Sequence, residues 1–136
     1  MNADTDYLFV YGTLRSDTDA DSYHQFIKPN FTRVGRATMP GRLYLIDYYP
    51  GLLPAQHPAD IVIGEVQAFT GGEATLLATD QYEECAPDSP RPHLYRRVRD
   101  IATFQDGSTL AAWVYLYALP VDESRLIRSG DFLDPL

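Results

Sequence analysis

The 136-residue chain contains one cysteine, Cys85, and three histidines. A lone thiol cannot form an internal disulfide and is compatible with a reducing compartment, so the expected location is cytoplasmic. His24, His57 and His93 show no ligand spacing with one another or with Cys85, so no metal site is expected. Cationic residues are also scarce, with 11 Lys and Arg against 19 Asp and Glu and a net charge of −8. Nucleic-acid binding depends on Lys and Arg to neutralise phosphate, and this balance argues against it. Arg91, Arg96, Arg97 and Arg99 cluster locally, but they amount to one strand's worth and not a basic face. Long apolar runs are missing, and no basic N-terminal region leads into an apolar core. Neither a membrane partner nor a secretory leader is expected.

What is present suits one globular domain over residues 1–136. The apolar fraction is 45%, with ten Tyr and six Phe, enough for a core without staples. Tyr7 to Tyr11 is a short apolar run closed by Gly12, as a buried strand would be. Ser22 to Pro29 predicts a short helix. Strands are expected over Phe31–Thr38, Arg42–Asp47, Ile61–Phe69, Tyr95–Phe104 and Leu110–Tyr117. Pro40-Gly41 and Pro50-Gly51 read as turns, and Leu52 to Asp60 as irregular chain because of Pro54 and Pro58. Asp106-Gly107 marks a hairpin between the last two strands. Glu73 to Glu84 has helical character, and Asp122 to Arg128 predicts a last short helix ending near Gly130. Six closely spaced strands and a few short helices predict an α+β fold. The expected form is a small, mostly antiparallel barrel or sheet with helices packed outside.

Three segments carry groups capable of chemistry. In Phe9-Val10-Tyr11-Gly12-Thr13-Leu14-Arg15 a strand ends in glycine, and the amides that follow can converge on a carboxylate or an oxyanion. By composition alone the same residues read as a strand meeting a turn. In Thr79-Asp80-Gln81-Tyr82-Glu83-Glu84, Asp80 and Glu83 stand at i+4 and i+7 from Leu76, so a buried Leu76 would turn one or both carboxylates inward. A carboxylate in an apolar, aromatic pocket exchanges protons near neutral pH. The bland alternative is a solvated acidic helix end, although acidic residues there oppose the macrodipole. Third, Tyr95-Arg96-Arg97 opens a strand after a Pro-rich loop.

Taken in order, these segments resemble the gamma-glutamylcyclotransferase-like family. The run Phe9–Arg15 matches its F-V-Y-G-T-L-[KR] signature, Asp80–Glu83 its D-x-[YF]-E segment, and Tyr95-Arg96-Arg97 its Tyr-x-Arg strand. Ala112-Trp113-Val114-Tyr115 and Ser129-Gly130-Asp131-Phe132 look like its late strand and its C-terminal S-G-D-[WF]. The Y-G-T-L form is most similar to the gamma-glutamylamine cyclotransferase branch. Two positions depart from the pattern, with Thr79 where the family has Leu and Glu84 where it has Gly. Glu84 is also a rival carboxylate, but the order after Tyr82 favours Glu83.

The resemblance implies intramolecular cyclisation of a gamma-glutamyl amine or amide to 5-oxoproline with release of the amine. Glu83 would be the general acid/base. The amides of Gly12, Thr13 and Leu14 would bind the substrate, with Tyr11 and Tyr95 lining the pocket. The implied partner is a small gamma-glutamyl molecule, and no cofactor is expected because ring closure is helped by proximity. The alternative is a catalytically silent fold relative that binds a small carboxylate or a protein.

Overall fold

The computed structural model describes residues 6–12, 31–46, 49–83, 85, 87, 89 and 91–132. The helix expected over Ser22 to Pro29 lies outside them. Seven strands and one α-helix are found among these residues: β1 (Asp6–Val10), β2 (Phe31–Pro40), β3 (Arg42–Leu45), β4 (Pro50–Leu53), β5 (Ile61–Phe69), α1 (Gly72–Tyr82), β6 (Tyr95–Phe104) and β7 (Thr109–Tyr117). No described helix is long and apolar enough to cross a membrane.

Five strands close into a barrel in the order β1-β5-β2-β6-β7. The pairs along that order are antiparallel. The seam is a parallel bridge between Leu8 of β1 and Trp113 of β7. β3 and β4 form a separate antiparallel hairpin. The expected α+β barrel is therefore the observed architecture.

Strand alternation explains how the core divides. Phe9 of β1, Tyr11 just after it, and Ala112 and Val114 of β7 point into the barrel. There they meet Met39, Val62, Val66 and Ala102. The intervening residues Leu8, Val10 and Tyr115 point outward, where they pack with Phe69, Tyr95 and Leu76 of α1. β1 is apolar at every position from Tyr7 to Val10 because both of its faces are covered. α1 buries Thr75, Leu76, Thr79 and Asp80 and leaves Leu77 exposed. That stripe is the one the i+4 and i+7 spacing predicts.

Two expectations need correcting. Pro50-Gly51 is not a turn but the start of β4, and the irregular chain begins only after Leu53. Proline is tolerated as the first residue of a strand. Gly51 is there because β7 crosses close by: a Cβ on it would lie 2.7 Å from Tyr117 Cβ and 3.0 Å from Ile46 Cγ1. The last helix also shrinks to a single 3-10 turn, Glu123–Arg125, capped by Asp122. The chain leaves it because Leu126 bridges Tyr44 and the Ile127 N–H donates to the Leu43 carbonyl at 2.7 Å. The Asp106-Gly107 hairpin forms as expected, with Gly107 at φ 87°.

Replacing Gly51 by Ala should therefore destabilise the fold by about 2 kcal/mol, the ordinary cost of overpacking a tight contact. Urea denaturation of the two proteins checks this. A midpoint unchanged from wild type would mean that β4 and β7 do not approach as closely as described.

Candidate active site

The site lies where β1 ends, beside the start of β6 and the C-terminal end of α1. Tyr11 follows β1, and its ring sits in the barrel core at 6% exposure. Its hydroxyl donates to the Tyr115 carbonyl at 2.5 Å and accepts the Leu52 N–H at 3.3 Å. Tyr95, the first residue of β6, donates to the Pro50 carbonyl at 2.6 Å. Its ring meets Tyr117 edge-on at 5.6 Å between centroids, with Tyr49 at 6.4 Å. Gly12 is buried directly after Tyr11. A Cβ there would come within 2.8 Å of Pro50 Cγ, so β4 packs against the bare backbone at this point.

Glu83 follows the last helical residue, and its N–H donates to the Thr79 carbonyl at 2.9 Å. The side chain is half-buried. Its carboxylate acts electrostatically on the phenols of Tyr11 and Tyr95 and on the Cys85 thiol. Tyr11, Tyr95 and Glu83, chosen from the sequence, are thus coupled electrostatically. Thr13, Leu14 and the rival Glu84 lie outside the described residues.

Asp80 behaves differently from Glu83. Its carboxylate receives a two-pronged contact from Arg97, Nε to Oδ1 at 2.9 Å and Nη2 to Oδ2 at 3.2 Å. The Tyr115 hydroxyl donates to Oδ1 at 2.6 Å and lies 2.8 Å from Thr79 Oγ1. Arg97 also lies over the Trp113 ring, 4.5 Å from its centroid, with Arg99 at 4.8 Å. Asp80 is thus bound into an ion pair and to a phenol, while the Glu83 charge acts on Tyr11 and Tyr95. Sequence reading missed Tyr115 as a member of this cluster. Its only signal was the match of Ala112-Trp113-Val114-Tyr115 to the family's late strand.

The phenols are held neutral. Burial, then the Glu83 charge, pushes Tyr11 well above the usual phenol range, against a weaker opposing pull from the Leu52 N–H. Tyr95 is raised by burial, then by Tyr11 and Glu83. Tyr115 is raised by burial and by its hydrogen bond to Asp80. Burial and the Asp80 and Glu83 charges push the Cys85 thiol up to about 12. A thiol so placed carries almost no thiolate at neutral pH and is a poor nucleophile. The phenols therefore stay protonated, with their hydroxyl protons given to the Tyr115 and Pro50 carbonyls and to Asp80.

Residues 8–134 match the family model for gamma-glutamyl cyclotransferase, AIG2-like proteins. The chain belongs to that family. The Escherichia coli K12 gamma-glutamylcyclotransferase family protein YtfP is 31% identical over 134 residues, covering 93% of this chain and 96% of YtfP. Among solved structures, an AIG2-like protein of Mus musculus superposes with a TM-score of 0.69 at 22% identity, over 88% of this chain and 82% of that one. YkqA of Bacillus subtilis superposes with a TM-score of 0.67 at 20% identity. It covers 93% of this chain, which spans only 39% of YkqA. These structures share the cyclotransferase-family fold described above.

The raised phenols set the alkaline limit of stability. A phenol whose folded pKa is raised contributes stability that is fully present below its unfolded value of about 10. Above that pH the unfolded chain ionises and the native state does not. Each phenol then withdraws about 1.4 kcal/mol per pH unit. Absorbance titration should show Tyr11, Tyr95 and Tyr115 ionising only as the far-UV circular dichroism signal collapses. Ionisation of all ten tyrosines near pH 10 with the fold intact would contradict the burial described here.

Proposed function

We propose that this protein is a gamma-glutamylamine cyclotransferase in which Glu83 shuttles protons during closure of the 5-oxoproline ring. The observation that carries the reading is Glu83, half-buried at the end of α1, whose charge acts on the phenols of Tyr11, just after β1, and of Tyr95, at the start of β6. Family membership supports cyclotransferase chemistry in general.

The proton balance explains why one carboxylate suffices. A gamma-glutamyl amine presents an α-ammonium and a γ-amide in the same chain. The α-nitrogen attacks the γ-carbonyl carbon, a C–N bond forms, and the original amide C–N bond breaks. The attacking nitrogen begins with three protons and ends, as the ring amide, with one. The departing nitrogen begins with one and ends, as an ammonium, with three. Two protons therefore move from one nitrogen to the other, and a carboxylate beside both can carry them in turn. Glu83 takes a proton from the α-ammonium, releasing the lone pair for attack, and returns one to the leaving nitrogen.

The remaining groups hold the substrate. Tyr11 and Tyr95 stay protonated and wall the site with aromatic surface. The backbone amides that begin at Gly12 receive the substrate carboxylate or the developing oxyanion, a role suited to fixed N–H dipoles in a water-poor site. Binding both reacting ends within one pocket brings amine and carbonyl into near-attack geometry.

The test is 5-oxoproline release from a panel of gamma-glutamyl amines, gamma-glutamyl dipeptides and glutathione. Turnover is expected with the amines. Glu83→Gln keeps the side-chain shape but cannot carry a proton, so kcat should fall by roughly a hundredfold or more. Thermal melts of the variant should stay close to wild type. A wild-type protein that binds 5-oxoproline by calorimetry but turns over none of the panel would be a silent relative. A Glu83→Gln protein that melts several degrees lower yet retains its rate would make Glu83 a structural residue.

A further inference from the structure

Asp80 takes no part in the proton traffic, yet it is bound at both its side chain and its backbone. Its carboxylate ties α1 to β6 through Arg97 and to β7 through Tyr115. Its carbonyl accepts the Cys85 N–H at 2.9 Å, an i+5→i hydrogen bond at the end of the helix. Glu83 lies inside the turn which that bond closes. Tyr115 carries the restraint further, because its carbonyl receives the Tyr11 hydroxyl. One residue of β7 therefore fixes the helix end with its side chain and Tyr11 with its backbone.

We propose that Asp80 is the positioning residue of Glu83, acting through Arg97 and Tyr115 to hold the turn that carries Glu83 against Tyr11 and Tyr95. The inference rests on the reading of Glu83 as the proton shuttle. Its physical basis is that a shuttle must stay within hydrogen-bond reach of two nitrogens, and a misplacement of about 1 Å costs roughly a hundredfold in rate. Glu83 follows the last helical residue, where helices fray, so that precision has to come from outside the helix. The Asp80 clamp lies one turn before it.

Two variants and two readouts test this. Asp80→Asn keeps the shape and removes the charge. Tyr115→Phe removes one hydrogen bond to Asp80 but leaves the ion pair with Arg97 and the carbonyl that holds Tyr11, so it provides the test if Asp80→Asn does not fold. Hydrogen exchange should show the Glu83 and Cys85 amides losing at least tenfold protection, while the β1–β5 and β6–β7 ladders keep theirs. In the 5-oxoproline assay kcat should fall at least tenfold, with KM changing less than about threefold. A clamp that merely stabilised the whole fold would lower protection everywhere and spare kcat, and that outcome overturns the proposal. Localised loss of protection with unchanged kcat overturns it equally. If the wild-type protein releases no 5-oxoproline, the proposed function falls, while the exchange pattern still upholds or overturns the clamp.

Discussion

The buried carboxylate of Asp80 is the constraint around which the outer face of the barrel is arranged. Asp80 is buried, at 9% exposure, and removing one partner of a buried ion pair typically costs about 3–5 kcal/mol. Arg97 supplies the countercharge in the planar geometry that guanidinium and carboxylate share. From there the restraint spreads through aromatic and charged neighbours. Trp113 stacks under Arg97 and Arg99, its indole N–H donates to Asp6 at 2.9 Å, and Arg99 reaches the same carboxylate at 3.1 Å. The line from Asp80 to Asp6 thus joins the end of α1 to the start of β1 across the barrel seam, where the strands themselves share one bridge. Side chains reinforce the seam where the ladder is shortest.

The same arrangement separates acid–base duties by environment. Tyr11, Tyr95 and Tyr115 are buried and spend their hydroxyl protons on carbonyls or on Asp80, so they are fixed as neutral donors. Cys85 is half-buried beside two carboxylates and is silenced as a nucleophile. Asp80 is paired with Arg97. Burial with definite partners thus fixes the protonation and the contacts of the groups near the end of α1.

Much of this was legible in the sequence because local patterns report local structure. The continuous apolar run at Tyr7–Val10, the Asp-Gly hairpin and the i, i+4, i+7 stripe on α1 each announced an element that formed. The errors came where a distant contact decided the outcome. Pro50-Gly51 has the composition of a turn, but it pairs with β3, and its glycine answers to the approach of Tyr117, 66 residues later. The helix expected from Asp122 is cut short by β3, which captures Leu126 and Ile127. For the site, Tyr11, Tyr95 and Glu83 could be nominated from motifs. The Tyr11–Tyr115 bond joins residues 104 apart, and the Arg97–Asp80 bond joins residues 17 apart in different elements, so neither leaves a local signature.

The two departures from the family pattern acquire a physical account on these terms. A buried Thr in place of Leu exposes a hydroxyl to an apolar interior, which costs stability unless the hydroxyl is bonded. Thr79 is fully buried, and its Oγ1 donates to the Leu76 carbonyl at 2.9 Å while lying 2.8 Å from the Tyr115 hydroxyl. The substitution has been absorbed by the cluster that holds Asp80. Replacing Gly after Glu83 forfeits the residue that most easily closes a helix in the left-handed region. The closing bond from the Cys85 N–H to the Asp80 carbonyl is nevertheless made. Both departures fall within five residues of Asp80, where the ion pair with Arg97 holds the helix end whatever its local propensity. A strong tertiary restraint at one residue relaxes what its neighbours must be.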